Sequence, residues 1–168
     1  LGERFSGVEI CILNLARALA ADGTLNYIFY VPRDFPKDPP AGARFETRRV
    51  SIPARFRPLR IFWEQCILPA RCRRDGVDLV HAPGYIAPLA YPAPVVVTLY
   101  DLIALKFPQW CRAGNRLHYR MALPLSVRKA RRIIVPSEAT RADLMRQWDV
   151  PENKIRVIPP GIDARFSP

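Results

Sequence analysis

No apolar run in this sequence approaches the roughly 20 residues that a membrane-spanning helix needs. Even PVVVTLYDLIAL, from Pro94, is broken by Asp101, so nothing within these residues reads as a bilayer crossing. There are only two histidines, and the four cysteines, Cys11, Cys66, Cys72 and Cys111, are scattered with no C-x-x-C pair. That spacing excludes an ordinary zinc site and points to buried or idle thiols in a reducing cytosol. Neither G-x-G-x-x-G nor a Walker sequence is present, which removes the glycine-rich phosphate loops of dinucleotide-binding and P-loop proteins. Internal repeats and low-complexity tracts are absent too. No metal or resident cofactor is expected.

Acidic residues are also in short supply, 15 against 26 Lys and Arg, which leaves a net charge of +11. Such a surplus suits nucleic acid, anionic lipid or phosphorylated ligands, although arginines spread over solvated faces would produce the same sum. The chain is 168 residues long, 49% apolar and 24% charged. It is therefore a globular chain of single-domain size, able to bury two thirds or so of its unfolded surface. It opens on Leu1 without an initiator Met and closes on GIDARFSP, which reads as linker, so a fragment of a longer protein is expected.

Along the chain, Val8, Cys11, Ile12, Leu15 and Leu19 recur at the spacing of one helix face. Ser6 with Glu9 three residues on forms a capping-box pattern, and Asp22-Gly23 marks the end of that helix. LNYIFYVP and RFETRRVSIP read as strands on either side of a loop. A helix follows from Pro58, with Leu59, Phe62, Trp63, Cys66 and Ile67 on its apolar face and a kink or interruption expected at Pro69. VDLVHAPG and APVVVTLYD are two short apolar strands, and a long helix-like stretch from about Gly114 to Ala130 is expected to break at Pro124. The strand RRIIVPS, a helix opening at Ser137 and the strand KIRVIPPG complete the order αββαββαβαβ. Continuous apolar strands alternating with helices imply an α/β fold with a parallel sheet covered on both faces. The opening on a loop and a capped helix suggests that a first strand precedes Leu1.

Ligands of such sheets gather at the carboxyl ends of the strands, where loops meet helix N-termini. The polar residues placed there are Ser6 and Gly7, His81 through Gly84, Tyr100 with Asp101, and Ser137 with Glu138. Gly7 before a capped helix would let backbone approach a phosphate, or it is simply part of a cap. His81 could bind a hydroxyl or exchange a proton, or be satisfied by backbone. Asp101 could accept a hydrogen bond from a substrate alcohol, or cap the loop that follows.

Taken in order, SGVEICILNLARALA, WEQCILPARCRRDGVDLVHAPGYIAPL, VVVTLYDLIALKFPQ and RRIIVPSEATRADLMRQWDVPENKIRVIPPGID resemble the N-terminal half of retaining two-domain GT-B glycosyltransferases of the family 4 type. That group includes bacterial mannosyl- and glucosyltransferases. The resemblance implies a Rossmann-like acceptor-binding domain over residues 1–158 and an interdomain linker from 159 to 168. A nucleotide-sugar domain, holding most of a UDP- or GDP-sugar donor, would lie outside this chain, and the fragment alone would be inactive. By the same resemblance Asp101 and Tyr100 are the catalytic candidates, and Ser6 and Gly7 form the donor-phosphate loop. His81, Gly84, Tyr85 and Ser137 would meet the acceptor.

Two departures stand out. Tyr100 replaces the histidine of the family's His-Asp pair, and Pro160 replaces the asparagine of its linker motif PNGID. Expected partners are a sugar or lipid-linked acceptor and an anionic membrane surface on the cytoplasmic side. Arg55, Arg57 and Arg60, Arg71, Arg73 and Arg74, and Arg112, Arg116 and Arg120 form the basic clusters for that surface. A basic Rossmann-like nucleic-acid-binding module and another GT-B-like enzyme, such as a sugar-nucleotide epimerase, are the alternatives. Against nucleic acid, helical spacing assigns Phe62 and Trp63 to the core.

Overall fold

The computed structural model of the chain describes residues 6–35, 40–52, 56–107, 109 and 113–161. Arg55 and Arg112, like Cys111, lie outside the described residues, as does the linker beyond Gly161. The fold is α/β and Rossmann-like, with parallel sheets and helices on both faces. Two compact units divide it, Leu1–Leu68 and Pro69–Pro168.

In the first unit, helix α1 (Gly7–Asp22) begins with the capping box its sequence announces. Glu9 N–H donates to Ser6 Oγ at 3.3 Å, Ser6 N–H donates to Glu9 Oε2 at 2.7 Å, and Gly23 ends the helix at φ 65°. Only Ala16 of α1 is fully buried and Leu15 is exposed, so the expected apolar face is partly covered. Strands β1 (Tyr27–Pro32) and β2 (Phe45–Val50) pair in parallel, Tyr27 beside Phe45 and Pro32 beside Val50. A small core of Val50, Ile52 and Trp63, joined by Tyr30 and Leu68, packs below them. Trp63 is thus in the core as its spacing suggests, whereas Phe62 is 54% exposed.

Helix α2 (Arg57–Phe62) runs into a π-helical turn (Trp63–Ile67) and then α3 (Leu68–Arg74), so the chain stays helical through Pro69. The interruption expected there is absorbed by the π turn. Leu68 N–H reaches back to the Trp63 carbonyl, one residue further than in an α-helix. Such a widened turn, placed directly before the proline, is one way a helix admits a ring that lacks an N–H and crowds the carbonyl four residues back.

The second unit is built on four parallel strands in the order β3 (Val80–Ala82), β4 (Val95–Thr98), β5 (Arg132–Val135) and β6 (Ile155–Val157). Val95, Val97, Leu99, Ile133 and Val135 have no exposed surface. That burial explains why these strands read as continuous apolar runs with little alternation. Short α4 (Ile103–Lys106) follows β4, and α5 (Ala113–Lys129) and α6 (Glu138–Trp148) flank β5. The element order is the one expected from the sequence, with the π turn, α4 and a 3₁₀ turn (Glu152–Lys154) before β6 added.

Pro124 lies inside α5 without ending it. Buried contacts on both sides of the ring hold the helix together, because Leu123, Ser126 and Val127 are almost wholly inaccessible. Ser126 Oγ donates to the Ala122 carbonyl at 2.8 Å and accepts from Ala87 N–H at 3.0 Å, which ties the loop after β3 to α5. Tyr91, in the same loop region, is buried with its hydroxyl donating to the Val77 carbonyl.

Two substitutions probe this packing. A Cβ at Gly42 would stand 2.5 Å from the backbone oxygen of Ala20, so Gly42→Ala is expected to cost about 1–3 kcal/mol through overpacking. Ser126→Ala would remove the hydroxyl that bonds both the Ala87 N–H and the Ala122 carbonyl and is expected to cost a similar ~1–3 kcal/mol. Denaturant titration of both variants measures these losses, and unchanged midpoints would contradict the packing described.

Candidate functional site

Parallel pairing sends the carboxyl ends of β3, β4 and β5 to one edge of the sheet, and the loops that leave them carry most of the polar candidates. In the register of β3 against β4, His81 sits beside Val96, so His81, Val96 and Thr98 point to the same face. The His81 Nε2 atom lies 2.8 Å from Thr98 Oγ1. Burial holds the His81 imidazole below its ordinary pKa of 6.5, so the ring is neutral near pH 7 and engaged with its neighbour.

Beyond β3, the Tyr85 N–H donates to the Thr98 carbonyl at 3.1 Å and extends the ladder. Tyr85 adopts φ 74°, a left-handed conformation that is unfavourable for a bulky side chain. The preceding Gly84 is not the residue in the left-handed region, and a Cβ there would meet open space. What holds Tyr85 in place is its side chain. Its hydroxyl donates to Asp101 Oδ2 at 3.1 Å, and its ring packs against Tyr100 at 5.9 Å and edge-on against Tyr119 at 5.8 Å. Burial first, then the Asp101 charge and the hydrogen bond to it, raise the Tyr85 pKa far above the usual phenol value. The phenol therefore stays protonated and acts as the donor.

Asp101 meets two partners at once. Oδ2 accepts from Tyr85, and Oδ1 accepts from the Ile103 N–H at 3.0 Å, the local turn by which aspartate starts the segment that follows a strand. Lys106 at the end of α4 pairs with Asp143 of α6 at 2.5 Å, and the hydrogen bond from Lys106 holds the Asp143 carboxyl below its usual range. Both ends of the short segment after Asp101 are thereby anchored. Asp101 and Tyr85 touch, and Tyr100 packs on Tyr85, so three of the candidates form one cluster; His81 sits beside Thr98, whose carbonyl receives the Tyr85 N–H.

Ser137 serves α6 as its N-cap. Thr140 N–H donates to Ser137 Oγ at 3.2 Å, the two hydroxyls are 3.1 Å apart, and the Thr140 hydroxyl donates to the Tyr100 carbonyl at 3.3 Å. The sequence placed the opening of a helix at Ser137, but nothing in it showed the bond across to Tyr100. Tyr119 was also missed, because one aromatic on a helix carries no signal of its contact until the loop is seen. Ser6 and Gly7 belong to the first unit. Ser6 is occupied by its capping box, and among the described residues a Cβ at Gly7 would meet nothing within 4 Å, so none of them requires a glycine there. Among the described residues, no three His, Cys, Asp or Glu side chains converge to hold a metal.

Asp101→Ala is expected to cost about 1–2 kcal/mol of stability through the lost turn and the stranded Tyr85 hydroxyl. Asp101→Asn keeps the acceptor for Ile103 N–H and should lose less. His81 predicts a pH dependence whose sign follows from its lowered pKa. The unfolded chain binds the proton as pH drops below 6.5 while the folded chain does not, so stability is full above 6.5 and falls as pH falls through the folded value. Thermal midpoints between about pH 8 and 5 for the natural chain and His81→Asn measure this, and an equally steep decline in both would remove His81 as the cause.

No curated protein matches the chain. A family model does, the one described as Glycosyltransferase Family 4, over residues 5–166. That span takes in α1, every described strand and the Tyr85–Asp101 cluster, and the chain therefore belongs to glycosyltransferase family 4.

Proposed function

We propose that this chain is the acceptor-side half of a retaining GT-B glycosyltransferase, which moves a hexose such as mannose or glucose from a UDP- or GDP-sugar to an acceptor hydroxyl. The observation that carries the reading is Asp101 at the carboxyl end of β4, held by Tyr85 and by Ile103 N–H, in a chain of glycosyltransferase family 4. A carboxylate offers about four lone-pair positions, so two inward hydrogen bonds leave room for an acceptor alcohol. Fixing such an alcohol beside the reacting sugar carbon can account for a large part of a transferase's rate, because orientation replaces a bimolecular encounter.

In this reading Asp101 accepts from the acceptor hydroxyl, and Tyr100, in place of histidine, supplies a phenol that can donate or accept. Neutral His81 and the Gly84-Tyr85 turn border the acceptor, and Ser137 orders α6 beside Tyr100. Ser6 and Gly7, with open space around the glycine, suit an approaching donor phosphate at the N-terminus of a 16-residue helix. The main contacts to the diphosphate belong to a C-terminal domain beyond the linker. These 168 residues then bind an acceptor without transferring sugar.

Two measurements test the reading. In the full-length enzyme, Asp101→Ala should lower kcat/KM by about 100-fold or more, Tyr100→Phe should cost less, and Tyr100→His should be tolerated or improve turnover. Unchanged turnover in a stably folded Asp101→Ala enzyme would make the pair an ordinary turn. Calorimetric titration of the 168-residue chain with UDP- and GDP-sugars should show no appreciable binding, and micromolar affinity would overturn the division of labour between the halves.

A further inference from the structure

The residues Trp148-Asp149-Val150-Pro151 stop α6 and send the chain back toward α5. Asp149 takes a left-handed conformation at φ 49°, its N–H bonding the Met145 carbonyl at 2.9 Å, and Pro151 has no N–H with which to continue a helix. The 3₁₀ turn Glu152–Lys154 then brings Lys154 to the last turn of α5, where its Nζ donates to the Arg128 carbonyl at 3.1 Å. This return loop and the end of α5 enclose a cavity of about 340 Å³. Sites for small molecules run from roughly 300 to 1,000 Å³, so a single small ligand would fill it.

The cavity lies at the amino edge of the four-stranded sheet. Helix α5 runs out at Lys129 just before β5 begins at Arg132, and α6 at Trp148 before β6 begins at Ile155, whereas Asp101 follows the carboxyl end of β4. An occupant would not compete with a ligand of the Asp101 cluster. Helix α5 nevertheless reaches both places, since it also sets Tyr119 against Tyr85.

Apolar surface comes from Pro124 and Val127 of α5 and from Val150 and Pro151 of the loop, and half-buried Trp148 adds a ring. The charged groups stand on different walls. Arg128 and Lys154 meet at the end of α5, while Asp149 is the C-cap of α6. Among the described residues no ion pair joins Asp149 to either cation, or either cation to another carboxylate. Burial, with no anion to offset it, holds the Lys154 ammonium below its ordinary pKa of 10.5. Two helices also present their carbonyl ends here, each equivalent to roughly half a negative charge. With two cations and one carboxylate, the wall charges come to about zero. A net anion or a net cation gains little from such a cavity, whereas a molecule that carries both charges apart gains from each wall.

We propose that this cavity binds a small zwitterion with an apolar side chain, the chemistry of a free α-amino acid, its carboxylate toward Arg128 and Lys154, its ammonium toward Asp149 and its side chain against Trp148, Val127 and Val150. The guanidinium offers a planar fork matched to a carboxylate. The ammonium of Lys154 keeps two donors after bonding the Arg128 carbonyl.

Calorimetric titration of the full chain with L-phenylalanine tests the site without any transfer assay. Saturable binding with Kd below ~1 mM is expected. Phenylpropionate, which lacks the ammonium, and phenylethylamine, which lacks the carboxylate, should each bind about tenfold more weakly or worse. Glycine, without the apolar side chain, should lose at least about tenfold as well. Arg128→Gln and Asp149→Asn should each weaken L-phenylalanine binding about tenfold. Both positions are exposed, and asparagine tolerates the left-handed cap, so the fold should survive; circular dichroism checks that it does. The analogues need no mutation, so the test stands even where a variant fails to fold. The chain has three tryptophans, and the indole N–H resonance that disappears in Trp148→Phe should shift during the titration and locate the ligand. Equal affinity for the singly charged analogues would overturn the proposal, as would folded variants that bind like the natural chain. An unmoved Trp148 indole or no saturable binding up to ~10 mM would do the same.

Discussion

Parallel pairing of four short strands, the inner two with apolar residues wholly buried, is the constraint from which the rest of the second unit follows. Val95, Val97 and Leu99 on one strand and Ile133 and Val135 on the next lose all contact with water, and burial of this kind is the main source of folding free energy. Because every strand points the same way, the chain leaves the sheet at one edge after β3, β4 and β5. Gly84-Tyr85, Tyr100-Asp101 and Ser137 are neighbours for that reason, although up to 53 positions separate them in sequence.

At that edge one carboxylate organises three pieces of chain. Asp101 fixes its own turn through Ile103 N–H and holds Tyr85 through the phenol, and Tyr85 gathers Tyr100 and Tyr119. The left-handed Tyr85 is a local cost that these contacts offset, a pattern found where geometry matters more than local ease. Thr140 closes the far side by bonding the Tyr100 carbonyl.

Much of this was legible in the residues. The capping box at Ser6, the helix start at Ser137, the glycine stop at Gly23 and the buried strands carry strong local signals, because each depends on a few adjacent positions. The two prolines misled, since a ring in a helix is costly alone but tolerated when a π turn at Trp63–Ile67 or buried neighbours around Pro124 absorb it. Those remedies are tertiary and have no sequence mark. Phe62 shows the reverse limit: helical spacing assigns it to a face, yet which face is covered depends on what packs there. The position of Asp101 was readable from topology, whereas its partner Tyr85 was not, since the contact needs a backbone turn that the Pro-Gly sequence places one residue earlier.

Ser126 gives α5 a property that apolar packing would not. Leucines and valines tolerate small rotations of a helix about its axis, because dispersion contacts have little directionality. A hydroxyl clamped between the Ala122 carbonyl and the Ala87 N–H does not, since turning the helix would break a buried hydrogen bond. The azimuth of α5 is thus set by one oxygen atom. Leu117 and Met121 cannot roll inward, nor Tyr119 outward, without tearing the loop after β3 from the helix. A movement that keeps this bond carries helix and loop together, so that it reaches the tyrosines as a translation and not as a twist.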